Sequence, residues 1–237
     1  MSAGPWRPSS DPMIVLAVDT TTPSGSVALL EEGELVGEFN LESPSTHSAR
    51  LFGSVDLLLR ARGLDIQGVD AYAVAAGPGS FTGIRIGLSA VKSLAFASGK
   101  PVAAVSTLEA LAVKIGWPPV RLACPLLDAK KGEVYAALFE VRSGRLAEVI
   151  PQGAYDPDAF FARLPAHRIT AFAGNGLALY REKLLAYVRD KARFPARSPF
   201  LAAEVGRIGR RLLLEGKGVA AGALEPVYFR KSQAEER

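Results

Sequence analysis

The stretch Gly77-Pro78-Gly79-Ser80-Phe81-Thr82-Gly83-Ile84-Arg85-Ile86-Gly87 decides the fold. Before it, Ala71-Tyr72-Ala73-Val74-Ala75-Ala76 is an unbroken apolar run closed by turn residues, the pattern of a buried strand. After it, Ile84 to Ala95 reads as a helix. A strand that stops at a glycine turn and opens a helix leaves backbone N–H groups pointing above the turn, where an anion would be held. The spacing is G-x-G-x-x-x-G, one residue away from the dinucleotide fingerprint, and no Gly-Lys-Ser/Thr of a P-loop is present. Pro78 removes one further donor. Two readings stand at this point: a phosphate-binding turn, and a plain tight turn that packs a helix on a sheet.

Working backward, Met13 to Asp19 is a buried strand, and Thr20-Thr21-Thr22-Pro23-Ser24-Gly25 is a turn. Ser26 to Leu30 returns as a second strand, and Glu32-Gly33 turns again into Glu34 to Phe39. Ser45 or Thr46 is placed to cap a helix running to about Arg62, with Gly63 as its stop. Leu51, Phe52, Val55, Leu58 and Leu59 form its apolar stripe. The order is three strands of a meander, helix, strand, glycine turn, helix.

Working forward, Pro101 to Val105 reads as a strand, Thr107 to Ile115 as a helix, and Trp117-Pro118-Pro119 as a linker. The order then repeats. Arg121 to Leu127 is a strand ending at Asp128, and Ala129-Lys130-Lys131-Gly132 is a turn. Glu133 to Phe139 and Arg145 to Ile150 are the returning strands, followed by a short helix near Asp158 to Leu164. Arg168 to Ala173 is a strand that stops at Gly174-Asn175-Gly176 and opens the helix Leu177 to Arg189. Ser198-Pro199 is expected to cap a last helix, with Leu201, Val205, Ile208 and Leu212 on one face and Gly216 closing it. The two halves match beyond element order. Each first strand ends in an aspartate (Asp19, Asp128), each turn ends in Gly-x-Val, and each fourth strand ends in Gly-x-Gly. Three coincidences in one order argue for a duplicated α/β fold of two lobes.

Composition narrows the class. At 237 residues, with 49% hydrophobic and 22% charged residues, the chain reads as an ordinary globular protein of two lobes. The division expected is residues 1–12 as a disordered N-terminal extension, 13–106 as the first lobe and 107–237 as the second. The final helix and tail are free to pack back on the first lobe. No apolar run reaches the ~18–20 residues that span a bilayer, and residues 1–12 lack the apolar core of a signal peptide. One cysteine, Cys124, forbids an intrachain disulfide and fits a reducing cytoplasm; its apolar surroundings suit an inert thiol. The net charge is +4, with arginines gathered at 60–62, 189–197 and 207–211. They read mostly as solvated helix faces, and no RNA-binding aromatic signature interleaves with them.

A duplicated meander with an aspartate at each first turn is the plan of the actin, sugar-kinase and Hsp70 type of ribonuclease-H-like fold. In that plan hairpin turns and a glycine turn close on a nucleotide and its magnesium. Asp19, Thr20, Gly77 and Gly79 are therefore the candidate nucleotide contacts, here as a vestigial site. At the residue level the chain resembles the TsaB family, whose bacterial members were once called YeaZ. The resemblance rests on Ala17 to Thr20, Ser43 to His47, Gly77 to Gly87, Asp128 to Tyr135 and Glu225 to Arg230, and it covers about Met13 to Glu235. It implies a cytoplasmic, non-catalytic accessory subunit in making threonylcarbamoyladenosine (t6A) beside the anticodon of tRNAs that read A-starting codons. Such a subunit works with TsaD, which carries the transferase chemistry, and with TsaE. It touches tRNA indirectly through the complex and pairs with itself when TsaD is absent. The resemblance implies no cofactor or metal of its own; ATP or ADP would belong to the complex.

The residues agree with an accessory role. The catalytic sister holds its metal through H-x-x-x-H on the first long helix; here Leu51 stands four residues after His47, and the other histidine, His167, is distant. No nucleophile–base pairing is apparent. What remains is surface: the two helices, whose interface candidates are His47, Leu51, Val55, Leu58, Phe81, Arg85, Leu88, Val91 and Lys92. An independent ATP-binding kinase or ATPase using Asp19 and Asp128 is the alternative.

Overall fold

A computed structural model of the chain describes residues 12–42, 47–142 and 145–229. The expectations for the N-terminal extension up to residue 11, for a cap at Ser45 or Thr46, for the His47 side chain and for the segment after Phe229 lie outside the described residues. Internal packing divides the chain into two units, Met1–Thr107 with Phe200–Val227, and Leu108–Pro199 with Tyr228–Arg237.

The first unit holds β1 (Ile14–Asp19), β2 (Ser24–Glu31), β3 (Glu34–Glu42), α1 (His47–Ala61), β4 (Ala71–Gly77), α2 (Phe81–Ser98) and β5 (Val102–Ser106). The last helix, α6 (Ala202–Leu214), returns to it. Its sheet runs β3-β2-β1-β4-β5, antiparallel through the meander and parallel from β1 to β4 and β5. Strand side chains alternate between the two faces. Leu16, Val18, Val27, Leu29, Tyr72 and Val74 pack with α1 and α2 on one face. The opposite face is reserved for α6 by small residues. A Cβ on Gly209 would overlap the Cβ of Ala73, and one on Gly206 would overlap Leu30, so the helix axis lies close against the sheet. Arg210 of this helix also bonds Glu32.

The second unit holds α3 (Thr107–Ile115, from Leu108 onward), β6 (Leu122–Lys130), β7 (Glu133–Arg142), β8 (Arg145–Tyr155) and α4 (Pro157–Phe161). It continues with β9 (Thr170–Ala173), α5 (Leu177–Val188) and β10 (Ala192–Arg193). Its sheet runs β10-β9-β6-β7-β8, the order of the first sheet read in mirror listing. The duplicated ribonuclease-H-like architecture is thus present in both sheets. Leu122, Cys124, Leu126, Val134, Leu138, Phe160, Phe161 and Phe172 form its core under α4 and α5. Asp158 of α4 accepts from Lys183 Nζ at 2.8 Å and Tyr187 OH at 3.0 Å, tying the two helices together.

Several boundaries move. The helix α2 begins at Phe81, not Ile84, because Ser80 Oγ accepts from the Gly83 N–H and closes the first turn earlier. Ser198-Pro199 does not cap α6; the N-cap is Leu201, with no side-chain cap bond. The strand β6 runs through Asp128 to Lys130, and β8 extends to Tyr155. Trp117 pairs back onto Val120, a turn inside the second unit rather than a linker.

Candidate functional site

Asp19 ends β1 fully buried, and its Oδ1 accepts from the Thr21 N–H at 2.8 Å and from Thr21 Oγ1 at 2.6 Å. Thr107 Oγ1 donates in turn to Thr21 Oγ1 at 3.2 Å. The adjacent Thr20 Oγ1 donates to the Gly83 carbonyl at 2.7 Å, and Thr22 Oγ1 to the Ser24 carbonyl at 3.4 Å. The hydroxyls of Thr20, Thr21 and Thr22 are thus all bonded within the protein. The glycine turn closes from the other side. Ser80 N donates to the Thr21 carbonyl at 2.7 Å. A Cβ on Gly79 would overlap the Thr21 carbonyl, one on Gly83 the Thr20 carbonyl, and one on Gly87 would reach 2.5 Å from Thr20 Oγ1. These glycines let the 19–22 turn sit directly on the start of α2. Gly77 has φ +119°, and a Cβ there would stand 2.5 Å from the Val227 carbonyl. Val227 N donates to the Ala76 carbonyl at 2.8 Å, so the returning chain extends the end of β4.

Of the candidate contacts, Asp19, Thr20 and Gly79 lie in one clasp whose polar groups bond to protein, while Gly77 packs against the Val227 carbonyl. They do not fit a nucleotide's phosphates in this arrangement: the carboxylate and the Thr20 hydroxyl are fully buried and bonded to protein. Among the described residues, no cluster of three or more His, Cys, Asp or Glu is placed to hold a metal. Cys124 is buried, and burial pushes its thiol well above the usual range, in keeping with an inert core residue.

The interface candidates separate into two groups. Leu51, Val55, Leu58, Leu88 and Val91 all point into the core of the first unit and are at most 6% exposed. They hold α1 and α2 onto their own sheet and are not surface residues. The apolar stripe seen in the sequence is real, but it is spent inside the chain. Phe81 and Arg85 are exposed and Lys92 half-buried, on the outward side of α2. Arg85 lies over the Phe81 ring at 3.8 Å. Positions 81, 85, 89, 92 and 96 follow helical spacing along that face. It ends at Phe96, 86% exposed, and α1 adds Phe52 and Leu57 on its own outer side.

Comparison with known proteins decides the family. The family described as TsaD, tRNA N6-adenosine threonylcarbamoyltransferase, matches residues 42–221. A protein of Escherichia coli K12 named tRNA threonylcarbamoyladenosine biosynthesis protein TsaB is 31% identical, over 94% of this chain and 96% of its own length. The chain belongs to the TsaB family. A TsaB of Bacillus subtilis 168 is 34% identical over 73% of this chain and 75% of its own. Among solved structures, YeaZ from Pseudomonas aeruginosa matches with a TM-score of 0.76 and 31% identity over 91% of this chain and 99% of that one. For a TsaB-family chain, sequence reading missed Phe52 as an outward residue and Phe96 altogether. The available signal was an aromatic residue on the polar side of α2, fifteen positions after Phe81 and so on the same face.

Proposed function

We propose that this chain serves tRNA threonylcarbamoyladenosine biosynthesis as an accessory subunit. It docks on a TsaD-type transferase and activates it, without carrying the transfer chemistry itself. The observation that carries this reading is the outward face of α2, where Phe81 and Arg85 are exposed and Phe96 is 86% exposed. A long apolar side chain left in water at a helix surface favours a partner that buries it. The names of the relatives support the pathway, and the match to the TsaD family supports a sister protein as partner, since related two-lobed chains present related helices. On this reading TsaE joins the pair, ATP or ADP belongs to the complex, and a second copy of the chain takes the same face when the transferase is absent. The Asp19–Gly79 clasp acts as a structural remnant of a nucleotide site.

Light scattering on a sizing column tests it, with the chain alone, with its TsaD, and with TsaD, TsaE and ATP. The expected result is a dimer alone that exchanges for a one-to-one complex, with Phe96→Glu losing that complex and lowering t6A formation in a reconstituted system. Normal complex formation by Phe96→Glu, or no complex under any condition, would sink the docking face. Magnesium-dependent ATP hydrolysis by the isolated chain, abolished by Asp19→Asn, would replace the accessory reading with the kinase-like one.

A further inference from the structure

One row of backbone pairing crosses the whole second sheet. Ala192 of β10 pairs with Thr170 of β9, Thr170 with Leu122 of β6, Leu122 with Glu140 of β7, and Glu140 with Ala147 of β8. The three parallel strands begin at this row, β7 ends just past it, and β8 starts just before it. The cationic residues lying beyond the row are Arg189 and Lys191, Arg168, Arg121, Arg142 and Arg145. Spread over some seventy positions of chain, these cations look unrelated; the topology gathers them at one end of one sheet. That end is opposite Asp128, near the carboxyl end of β6, and Gly174, which follows β9.

The five arginines are exposed and Lys191 is half-buried. Two carboxylates accompany them. Glu140 accepts from Arg142 at 3.1 Å and Arg168 at 3.4 Å, and Asp190 is held by Lys191 at 2.7 Å. Six cations against two carboxylates leave an excess of four, as large as the net +4 of the entire chain. Arg121, Arg145 and Arg189 have no ion-pair partner among the described residues. Adjacent strands lie ~4.8 Å apart, so the row spans about 19 Å, or about five nucleotides at ~3.4 Å of rise. Guanidinium groups are planar, weakly hydrated and suited to paired hydrogen bonds with phosphate oxygens.

We propose that this end of the second sheet binds the phosphate backbone of RNA, and that it holds the tRNA substrate of the complex directly. The choice of tRNA as the RNA rests on the function proposed above; the polyanion-binding surface rests on the row alone. Contacts of this kind set position rather than sequence, and they weaken steeply with salt.

The test is fluorescence anisotropy of a labelled, unmodified transcript of a tRNA reading an A-starting codon, titrated with the full chain between about 50 and 200 mM salt. The variant is Arg121→Gln with Arg145→Gln and Arg189→Gln, which breaks no ion pair among the described residues. The control, Arg62→Gln with Lys100→Gln and Lys217→Gln, makes the same charge change in the first unit. The expected result is salt-dependent binding by the unaltered chain and a roughly tenfold or greater weakening in the triple variant. Its salt slope falls by about 2–3, while the control binds nearly as before. In reconstituted t6A synthesis the triple variant should raise the KM for tRNA and keep turnover at saturating tRNA, with an unchanged melting temperature. No binding by the unaltered chain, or equal weakening in variant and control, overturns the proposal. So does a triple variant that keeps its tRNA affinity but no longer captures TsaD, which would make the surface a protein contact. Failure of the accessory reading is seen separately, as an unaltered chain that forms no complex with TsaD and leaves t6A formation unchanged when it is omitted.

Discussion

Asp19 and Asp128 occupy the same place in the two units, and each accepts from the backbone N–H two residues on at 2.8 Å. Beyond that shared turn the surroundings part. In the first unit the glycine turn reaches past the aspartate: Ser80 N bonds the Thr21 carbonyl, and the 20–21 backbone lies on the start of α2. In the second unit the glycine turn reaches the aspartate only through a side chain, Asn175 Oδ1 accepting from the Asp128 N–H at 3.0 Å, and its backbone rests earlier on the strand. Gly176 N bonds the Leu126 carbonyl, and a Cβ on Gly174 would overlap that same oxygen. Thr21 therefore seals Asp19 into a buried cluster, while Lys130, in the matching position, reaches over Asp128 from solvent. A duplicated turn becomes a core element in one copy and a surface element in the other. The deciding difference is which carbonyl the helix start rests on.

The largest effect expected from this comparison is at glycines. Gly83→Ala should cost about 3 kcal/mol or more, because the obstructing atom is a backbone carbonyl that cannot swing aside. Gly176→Ala meets the Leu126 carbonyl at 3.0 Å and should cost about 1 kcal/mol. Urea denaturation of both variants measures the gap, and equal losses would mean the two clasps are equally tight.

A smaller effect is expected at the residues that cover the aspartates. Thr21→Val keeps the volume but removes the hydroxyl that donates to Asp19 and accepts from Thr107, at a cost of about 1–3 kcal/mol. Lys130→Met removes an ammonium that is 81% exposed and should stay within ~1 kcal/mol. If thermal unfolding shows the lysine variant to be the weaker protein, the contrast between sealed and open clasps is wrong.

The smallest effect is in pH dependence. Partial burial of Asp128 pushes its carboxyl up, but the side-chain and backbone hydrogen bonds of Lys130 outweigh it and hold the pKa below the ordinary 3.8. A lowered folded pKa means that the unfolded chain binds protons first as pH falls. The stabilisation is thus complete above about pH 4–5 and is lost as pH drops through 3.8 and the lower folded value. Asp128→Asn should flatten that part of the acid limb by a small amount, measured as stability from pH 6 down to about pH 3. An acid limb unchanged by the substitution would show that the Lys130 bonds contribute nothing in solution.

Much of this was legible in residue order. The Asp–turn–Gly-x-Val and Gly-x-Gly repeats announced two copies of one sheet, because period-2 apolar runs and glycine turns are local signals. The stripe of α1 and the apolar run of α2 were also read correctly as buried-facing patterns, yet their neighbour was misjudged. Leu51, Val55, Leu58, Leu88 and Val91 fill the space over β1, β2 and β4. A helical stripe says that a face is covered, not by what. Likewise Asp19 and Thr20 look equally suited to a phosphate and to a neighbouring carbonyl until the Gly79–Gly83 backbone is in place.

The sequence by itself determined the strand and helix order apart from the two-residue β10, the duplication and the position of both glycine turns, since each depends on residues within a few positions of one another. Tertiary structure alone decided the rest. It closed the first turn with Thr20 and Thr21, turned Phe96 outward, and lined up Arg121, Arg142, Arg145, Arg168 and Arg189 at one end of a sheet. The physical reason is common to all three. Hydrogen bonding and periodicity act locally along the chain, whereas burial and charge density are properties of what distant segments are packed beside.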